Sequence, residues 1–324
     1  MEVARAGEWW EYKLVPIFGM FYATALLAGV PLHSLAWTAA TLLAAIVPGA
    51  AYVGILNDLT DRHEDASAGK ANRLAGRGPV TIAVLLALPA AVGLAFAWSW
   101  RNDPLLLVPY LGAWTAFTLY SVPPLRLKAR GLAGVLADSS GAHLFPTLVA
   151  VGLVLRAAGA EPSAAWLVPV AVWALAYGLR GILWHQLLDS EADRAAAVST
   201  FVQRSPRERV LMLARRIVFP AELAAMAAIL WQVPSWLPLA ALVLYAMLVK
   251  RKMRVFRVEL VIVEPKARYV IALHEYYDFF LPVALLLACA WRWPADFLAL
   301  PLHFLLFPGR LIQTAGDLWK LRHF

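Results

Sequence analysis

Nine apolar runs recur along the chain. They are 16–25 residues long, and all but the shortest are enough at 1.5 Å per residue to carry a helix across about 30 Å of hydrocarbon. They lie near 13–31, 36–56, 80–100, 104–122, 132–155, 164–188, 208–231, 235–250 and 275–293. No other feature limits the fold so strongly. A bilayer core offers no water to an open strand edge, so only helices or a closed barrel can span it. The runs are uniformly apolar rather than alternating, which selects helices. The predicted fold class is therefore all-α, a polytopic membrane helical bundle of about nine transmembrane helices. Composition agrees: 61% of the 324 residues are hydrophobic and 15% are charged, against about 45–50% apolar and about 25% charged for soluble domains. No linker rich in Gly or Ser divides the chain, so 1–324 reads as a single domain. A further apolar piece at 295–307 is short and holds Pro301. It is expected to be interfacial or re-entrant, with a tenth span as the alternative.

The basic residues orient such a bundle. The connections at 57–79, 123–131, 189–216 and 250–268 hold 20 of the 29 Lys and Arg residues, and with nine spans all four lie on one side. The opposite connections hold only Arg101, Arg156 and Arg292. Cytoplasmic loops carry the Lys and Arg excess, so the four rich loops are expected to face the cytoplasm. The expected location is a multi-pass protein of a bacterial inner membrane. The net charge of +8 then marks a membrane face and calls for no nucleic-acid partner. Trp98, Trp100, Trp291 and Trp293 cluster at span ends, as an interfacial aromatic belt does. The single cysteine, Cys289, falls inside an apolar run and reads as packing. The opening MEVARAGEWWEYK has no signal-peptide pattern, so the first run is expected to be retained as a span.

Against this apolar background, residues 57–65, NDLTDRHED, are conspicuous. Asp58, Asp61 and Asp65 are spaced i, i+3, i+7, within an arc of roughly 60° on one helix face. Like charges so placed repel unless a cation neutralises them. One reading is a solvated helix end with Arg62 and His63 as local partners. The other is a site for a hard divalent cation such as Mg2+, which takes carboxylates, waters and substrate phosphates. Residues 185–193, HQLLDSEAD, place Asp189 and Asp193 at i, i+4 on the same side of the bundle. Two such faces are suited to hold one diphosphate between them. Lys70 and Arg73 in GKANRLAGRG, and Arg126, Lys128 and Arg130 in YSVPPLRLKARG, either balance that diphosphate or simply follow the topology rule.

These stretches resemble the UbiA superfamily of intramembrane prenyltransferases. NDLTDRHED matches its first aspartate motif, NDxxDxxxD; DSEAD is similar to the core of its second, DxxxD; and YSVPPLRLKARG is similar to its tyrosine- and lysine-bearing loop. The resemblance implies a central lipid-facing cavity under cytoplasmic caps, with Mg2+ as cofactor and an isoprenyl diphosphate as donor. An isoprenyl group would pass to an aromatic or other small lipophilic acceptor in contact with membrane lipid. By carry-over, Asp58, Asp61, Asp65, Asp189 and Asp193 would hold the metal, with Asn57 beside them. Arg73, Lys128 and Tyr120 would contact the diphosphate, with Lys70 and Arg126 nearby. His185 and Ala197 depart from the pattern, where many members have an acidic residue and a glycine.

Two other features bear on the acceptor. Arg180 lies inside a run, where a charge is costly; it either faces substrate or pairs with a buried acid. In LHEYYDFFLP, His274, Glu275 and Asp278 are expected to form a solvated helix start, with an acid or base for the acceptor as the alternative. A UbiA-type terpene cyclase, phosphoribosyl transfer to polyprenyl phosphate, and a non-enzymatic lipid or small-molecule transporter are the rival functions. The DGxxAR run of CDP-alcohol phosphotransferases is absent.

Overall fold

The computed structural model describes residues 6–67, 69, 71–195 and 199–322, without the side chains of 6–8, 63, 67, 192, 193 and 195. Among these, nine long helices fall where the apolar runs predict them: α1 (Ala6–Ala28), α2 (Ala36–Thr60), α3 (Pro79–Ser99), α4 (Pro104–Ser121), α5 (Leu132–Ala157), α6 (Ala164–Leu188), α7 (207–232), α8 (Leu237–Val255) and α9 (274–292). The helix carrying α2, together with α3, α5 and α6, is long and apolar enough to cross a membrane by length and composition alone. The chain is an integral membrane protein.

Local chemistry sets several boundaries. Asp103 accepts the Leu105 N–H at 3.1 Å and Pro104 follows it, so an N-cap and a proline in the first turn start α4 together. Ser163 does the same for α6, accepting from the Ala165 N–H at 3.2 Å. Three helices contain a widened π turn: Ser140–Leu144 in α5, Ala214–Val218 in α7 and Tyr276–Phe280 in α9. Each runs directly into a residue followed by proline, at Pro146, Pro220 and Pro282. A proline ring clashes with the carbonyl four residues back, and a turn that takes in one extra residue relieves the clash. Pro48 and Pro89 lie inside unbroken α-helix, so proline permits the widening without forcing it.

Burial separates the centre from the rim. Helix α1 is enclosed on every side: Leu14, Val15, Ile17, Met20, Ala23 and Ala25 are all inaccessible, and α5 and α9 pack against it. By contrast, only 11% of the apolar stretch of α3 is buried, and Val80, Val84, Leu88 and Leu94 turn outward. Outward-facing apolar rows of this length suit lipid as solvent.

After α9 the chain forms a short 3-10 segment and α10 (Ala299–Leu306), then turns by 88° into α11 (Pro308–Leu321). This bent pair fits both the re-entrant expectation for 295–307 and its alternative, a tenth span that is broken. It is fastened to the start of the chain. Asp296 accepts the N–H groups of Leu32 and His33 at 2.8 and 2.9 Å. Glu11 accepts those of Gly309 and Arg310 at 2.7 and 2.9 Å. A two-stranded parallel ladder, Glu259–Val261 with Tyr269–Ile271, lies in the connection between α8 and α9.

Residues 273–282 do not form the solvated helix start expected of them. Asp278 is buried, accepts the Tyr177 hydroxyl at 3.1 Å, and is paired with Arg310. Arg310 arrives from α11, 32 residues further along, a partner that no local pattern reveals.

Candidate active site

A cavity of about 700 Å3 lies between α1, α2, α4, α5 and α6. Its inner part is apolar and aromatic, with Ile17, Ala45, Gly49, Tyr110 and Trp114 in the wall. Close helix approach shapes that wall. A Cβ on Gly93 would stand 2.3 Å from the Trp114 ring, so only glycine lets α3 press against the tryptophan from behind. Tyr52 packs on the same ring at 4.9 Å between centroids. At one end of the cavity lie Asn57 and Ser121, from the last turns of α2 and α4. Tyr120 lines the cavity beside them.

The first acidic cluster begins at this end, and its three carboxylates have different surroundings. Helix α2 stops at Thr60, with Asp61 as C-cap, and a second short helix covers Arg62–Ser67. Backbone bonds from Asp61 N–H to Asn57 and from Asp65 N–H to Asp61 (3.0 and 2.8 Å) carry the helical spacing through the break. The expected single carboxylate face is nevertheless divided. Asp58 is buried, with the Arg73 guanidinium 3.9 Å away. Asp61 receives Arg126 at 2.9 Å and is also paired with Lys128. Asp65 accepts the Asn72 amide at 2.8 Å, and Asn72 donates in addition to the Asp58 carbonyl at 2.7 Å. Asp58 and Asp61 have cationic neighbours and Asp65 an amide donor, which eases the repulsion that one shared face would produce.

Arg126 organises the basic side of the cluster. Its fork grips Glu64 at 2.6 and 2.7 Å while one nitrogen also reaches Asp61, and its Nε makes no hydrogen bond among the described residues. Its backbone is left-handed (φ 36°), a conformation uncommon for a residue with a side chain, which here directs the arginine back over the cluster. The Glu64 contact raises the Arg126 guanidinium above its ordinary pKa. Burial pulls the Lys128 ammonium below the usual lysine value, opposed by Asp61. Glu64 is a member that the motif alone did not reveal, because its partner lies 62 residues away.

The second motif is described only in part. Asp189 caps the C-terminus of α6, its N–H bonded to the His185 carbonyl at 2.9 Å, and its side chain is exposed. The backbone of Asp193 lies in the short helix Ser190–Ala195; its side chain and all of Lys70 lie outside the described residues.

Arg180 does not reach the cavity. It is buried in a two-pronged pair with Glu222 of α7, at 2.7 Å for both contacts, and its third nitrogen reaches the Ile262 carbonyl at 3.3 Å. Of the two roles expected for it, substrate contact or a pair with a buried acid, the structure shows the second.

A second polar group does line the cavity: Lys13 from α1, Asp138 and His143 from α5, His185 from α6 and His274 from α9. His274 belongs to the stretch first read as solvated. Asp138 was not singled out in the sequence, although an acid within an apolar run is a costly placement that usually marks function.

The UbiA prenyltransferase family model matches residues 15–259. The structure of a UbiA homolog from Archaeoglobus fulgidus bound to GPP and Mg2+ is similar, with a TM-score of 0.55 at 16% identity, over 88% of this chain and 99% of that one. The same homolog bound to DMAPP and Mg2+ gives 0.53 at 15% identity, over 86% and 94%. Its Cd2+-bound form gives 0.53 at 17%, over 86% and 98%. No curated protein sequence matches the chain.

Proposed function

The chain belongs to the UbiA prenyltransferase family, and on that premise we propose that it transfers an isoprenyl group from an isoprenyl diphosphate to a lipophilic acceptor within the membrane, with Mg2+ as cofactor. One observation carries this reading. An apolar, aromatic-walled cavity ends at Asn57 and Ser121, one helical turn from the Asp61–Arg126–Lys128 cluster. A molecule with a greasy tail and a charged head finds adjacent places for both. The GPP and DMAPP complexes of the archaeal homolog, each with Mg2+, support the same donor class and ion.

The donor set fits the ion. Among the described residues no three His, Cys, Asp or Glu side chains converge on one point. Mg2+ usually takes only one or two carboxylates and fills its shell with waters and phosphate oxygens. Asp58, Asp61 and Asp65 would serve from the first motif, and Asp189 and Asp193 from the second. When bound, the ion would stabilise charge on the departing diphosphate.

The chain's own residues do the rest. Arg126 and Lys128, which now neutralise Asp61, supply donors for diphosphate oxygens, and Arg73 adds a third cation beside Asp58. Asn57 and Tyr120 flank the head group. The faces of Tyr110 and Trp114 stabilise the allylic cation and keep water from it. The Lys and Arg excess in the loops on this side supports a site that faces the cytoplasm of a bacterial inner membrane.

The test is to incubate the purified protein with Mg2+ and isoprenyl diphosphates of several lengths, with and without an acceptor panel. Diphosphate release that requires an acceptor is the expected result. A cyclic product formed without acceptor would instead make the protein a cyclase. No turnover of any donor would move the reading to phosphoribosyl transfer or transport.

A further inference from the structure

The polar groups around the cavity fall into two sets on different helices. Asn57 and Ser121 come from α2 and α4, and Ser121 donates to the Asn57 side-chain oxygen at 3.5 Å. Lys13, Asp138, His143, His185 and His274 come from α1, α5, α6 and α9. The diphosphate reading uses the first set and leaves the second without a task.

Local structure assembles the second set. In a regular α-helix, residues five apart point about 140° away from each other. The π turn at Ser140–Leu144 takes in one extra residue, so Asp138 and His143 come to within about 40° and share the cavity face. Helix α6 approaches closely because Gly178 has no side chain: a Cβ there would stand 3.0 Å from the His143 ring and 3.1 Å from the Ser139 backbone. The His143 ring meets Tyr177 edge-on at 5.0 Å, and His274 packs on the other side of Tyr177 at 5.2 Å. Lys13 and His185 are the charged or titratable groups facing the Asp138 carboxylate.

Three polar groups on this wall have no hydrogen-bond partner within the described residues. Asp138 is half-buried, with no hydrogen bond or close ion pair to the described residues and with Lys13 and His185 acting on it at longer range, while His274 Nε2 and Trp184 Nε1 are buried and make no hydrogen bond. A buried polar group without a partner is costly. Two such atoms, lining the same cavity as a half-buried carboxylate, indicate contacts kept for a ligand. The wall holds one carboxylate and one ammonium, a balance that suits a neutral molecule better than an anion. Its unpartnered acceptor, the Asp138 carboxylate, calls for an O–H donor.

We propose that Asp138 is the base that takes the proton of a hydroxyl-bearing acceptor, a phenol or alcohol held by His274 and Trp184. This rests on the isoprenyl-transfer reading above. In the step, the bond from the isoprenyl C1 to the diphosphate oxygen breaks and its electron pair leaves with diphosphate. An acceptor oxygen lone pair forms the new C1–O bond, the O–H proton passes to Asp138, and the product is an isoprenyl ether. General-base assistance of this kind is typically worth about 100- to 10,000-fold.

The test uses the purified full chain, Mg2+ and geranyl diphosphate, with 1-naphthol and 1-octanol as acceptor probes, in wild type, Asp138→Asn and Asp138→Glu. Donor binding, acceptor-independent diphosphate release and ether formation are measured separately. The expected result is ether from at least one probe in wild type, reduced about 100-fold or more in Asp138→Asn and partly restored in Asp138→Glu. Donor affinity should stay within about twofold, which also shows that the variants fold. Ether formation by Asp138→Asn at the wild-type rate would overturn the proposal. So would wild-type diphosphate release with no ether from either probe, which would leave the isoprenyl-transfer reading standing. A wild type that binds no geranyl diphosphate would overturn that reading as well.

Discussion

Arg180 and Arg126 hold carboxylates with the same planar fork, in opposite surroundings. Arg180 and Glu222 are wholly inaccessible, and their pairing is closed: two contacts of 2.7 Å, with a backbone carbonyl taking the third nitrogen. Around Arg126 the side chains keep 25% exposure for the arginine, 15% for Asp61 and 43% for Glu64, and Nε remains unused. Charges in the interior must keep their partners, because each alone is strongly disfavoured there. Charges at the edge can exchange a carboxylate for a phosphate oxygen at little cost. The sequence offers both arginines as possible substrate contacts, so enclosure separates the structural one from the one suited to ligand.

Removing half of the enclosed pair should have the largest effect. Glu222→Ala leaves Arg180 buried and uncompensated, and a loss of about 3–5 kcal/mol in stability is expected. The double variant Arg180→Met/Glu222→Leu should recover most of it. Denaturant or thermal unfolding in detergent measures both, and a single variant as stable as wild type would put the two arginines in one class.

Asp61→Asn should do the reverse, leaving unfolding nearly unchanged while turnover falls on the order of 100-fold or more. Asn keeps the shape but not the charge that Mg2+ and two cations share. Combined with Asp189→Asn, the loss should be far from additive, since either change disables one shared site. Turnover against Mg2+ concentration gives the answer, and wild-type dependence in Asp61→Asn would return the first motif to a solvated helix end.

Lys128→Ala should have the smallest effect, weakening donor binding by about 10- to 150-fold for one charge-assisted contact. The sign of its pH dependence follows from burial. Lys128 sits below the ordinary lysine pKa, so it loses its proton earlier as pH rises, and donor affinity should decline on the alkaline side. Arg at this position stays charged, so Lys128→Arg should flatten that decline. A profile unchanged by Lys128→Arg would show that another group sets it.

The elements that hydropathy could place are those whose signal is local. An apolar run carries its own length, which is why the nine long helices stand close to their expected positions, with α1 starting earlier and α8 extending through the basic stretch to Val255. The NDLTDRHED spacing likewise located the end of α2 and its acids. Pairings were not legible: Glu64 with Arg126, Arg180 with Glu222 and Asp278 with Arg310 join residues 62, 42 and 32 apart. Packing chooses those partners. The division of Asp58, Asp61 and Asp65 among Arg73, Arg126 with Lys128, and Asn72 depends on how two loops fold back, which helical spacing alone does not encode. Asp138 is the instructive middle case. Its charge within an apolar run was visible, but the π turn that aligns it with His143 was not.

The fastening of the C-terminal segment to the start of the chain has a consequence in time. Asp296 holds Leu32 and His33 across more than 260 positions, and Glu11 holds Gly309 and Arg310 across nearly 300. A ribosome adds roughly 5–20 residues each second, so α1 waits tens of seconds in the bilayer before its last partners emerge. During that interval Glu11 and the N–H groups of Leu32 and His33 have only water, lipid head groups or an insertion factor to satisfy them. The central helix is thus among the first to be made and the last to be locked, and biogenesis of the bundle ends with a clasp rather than a nucleus.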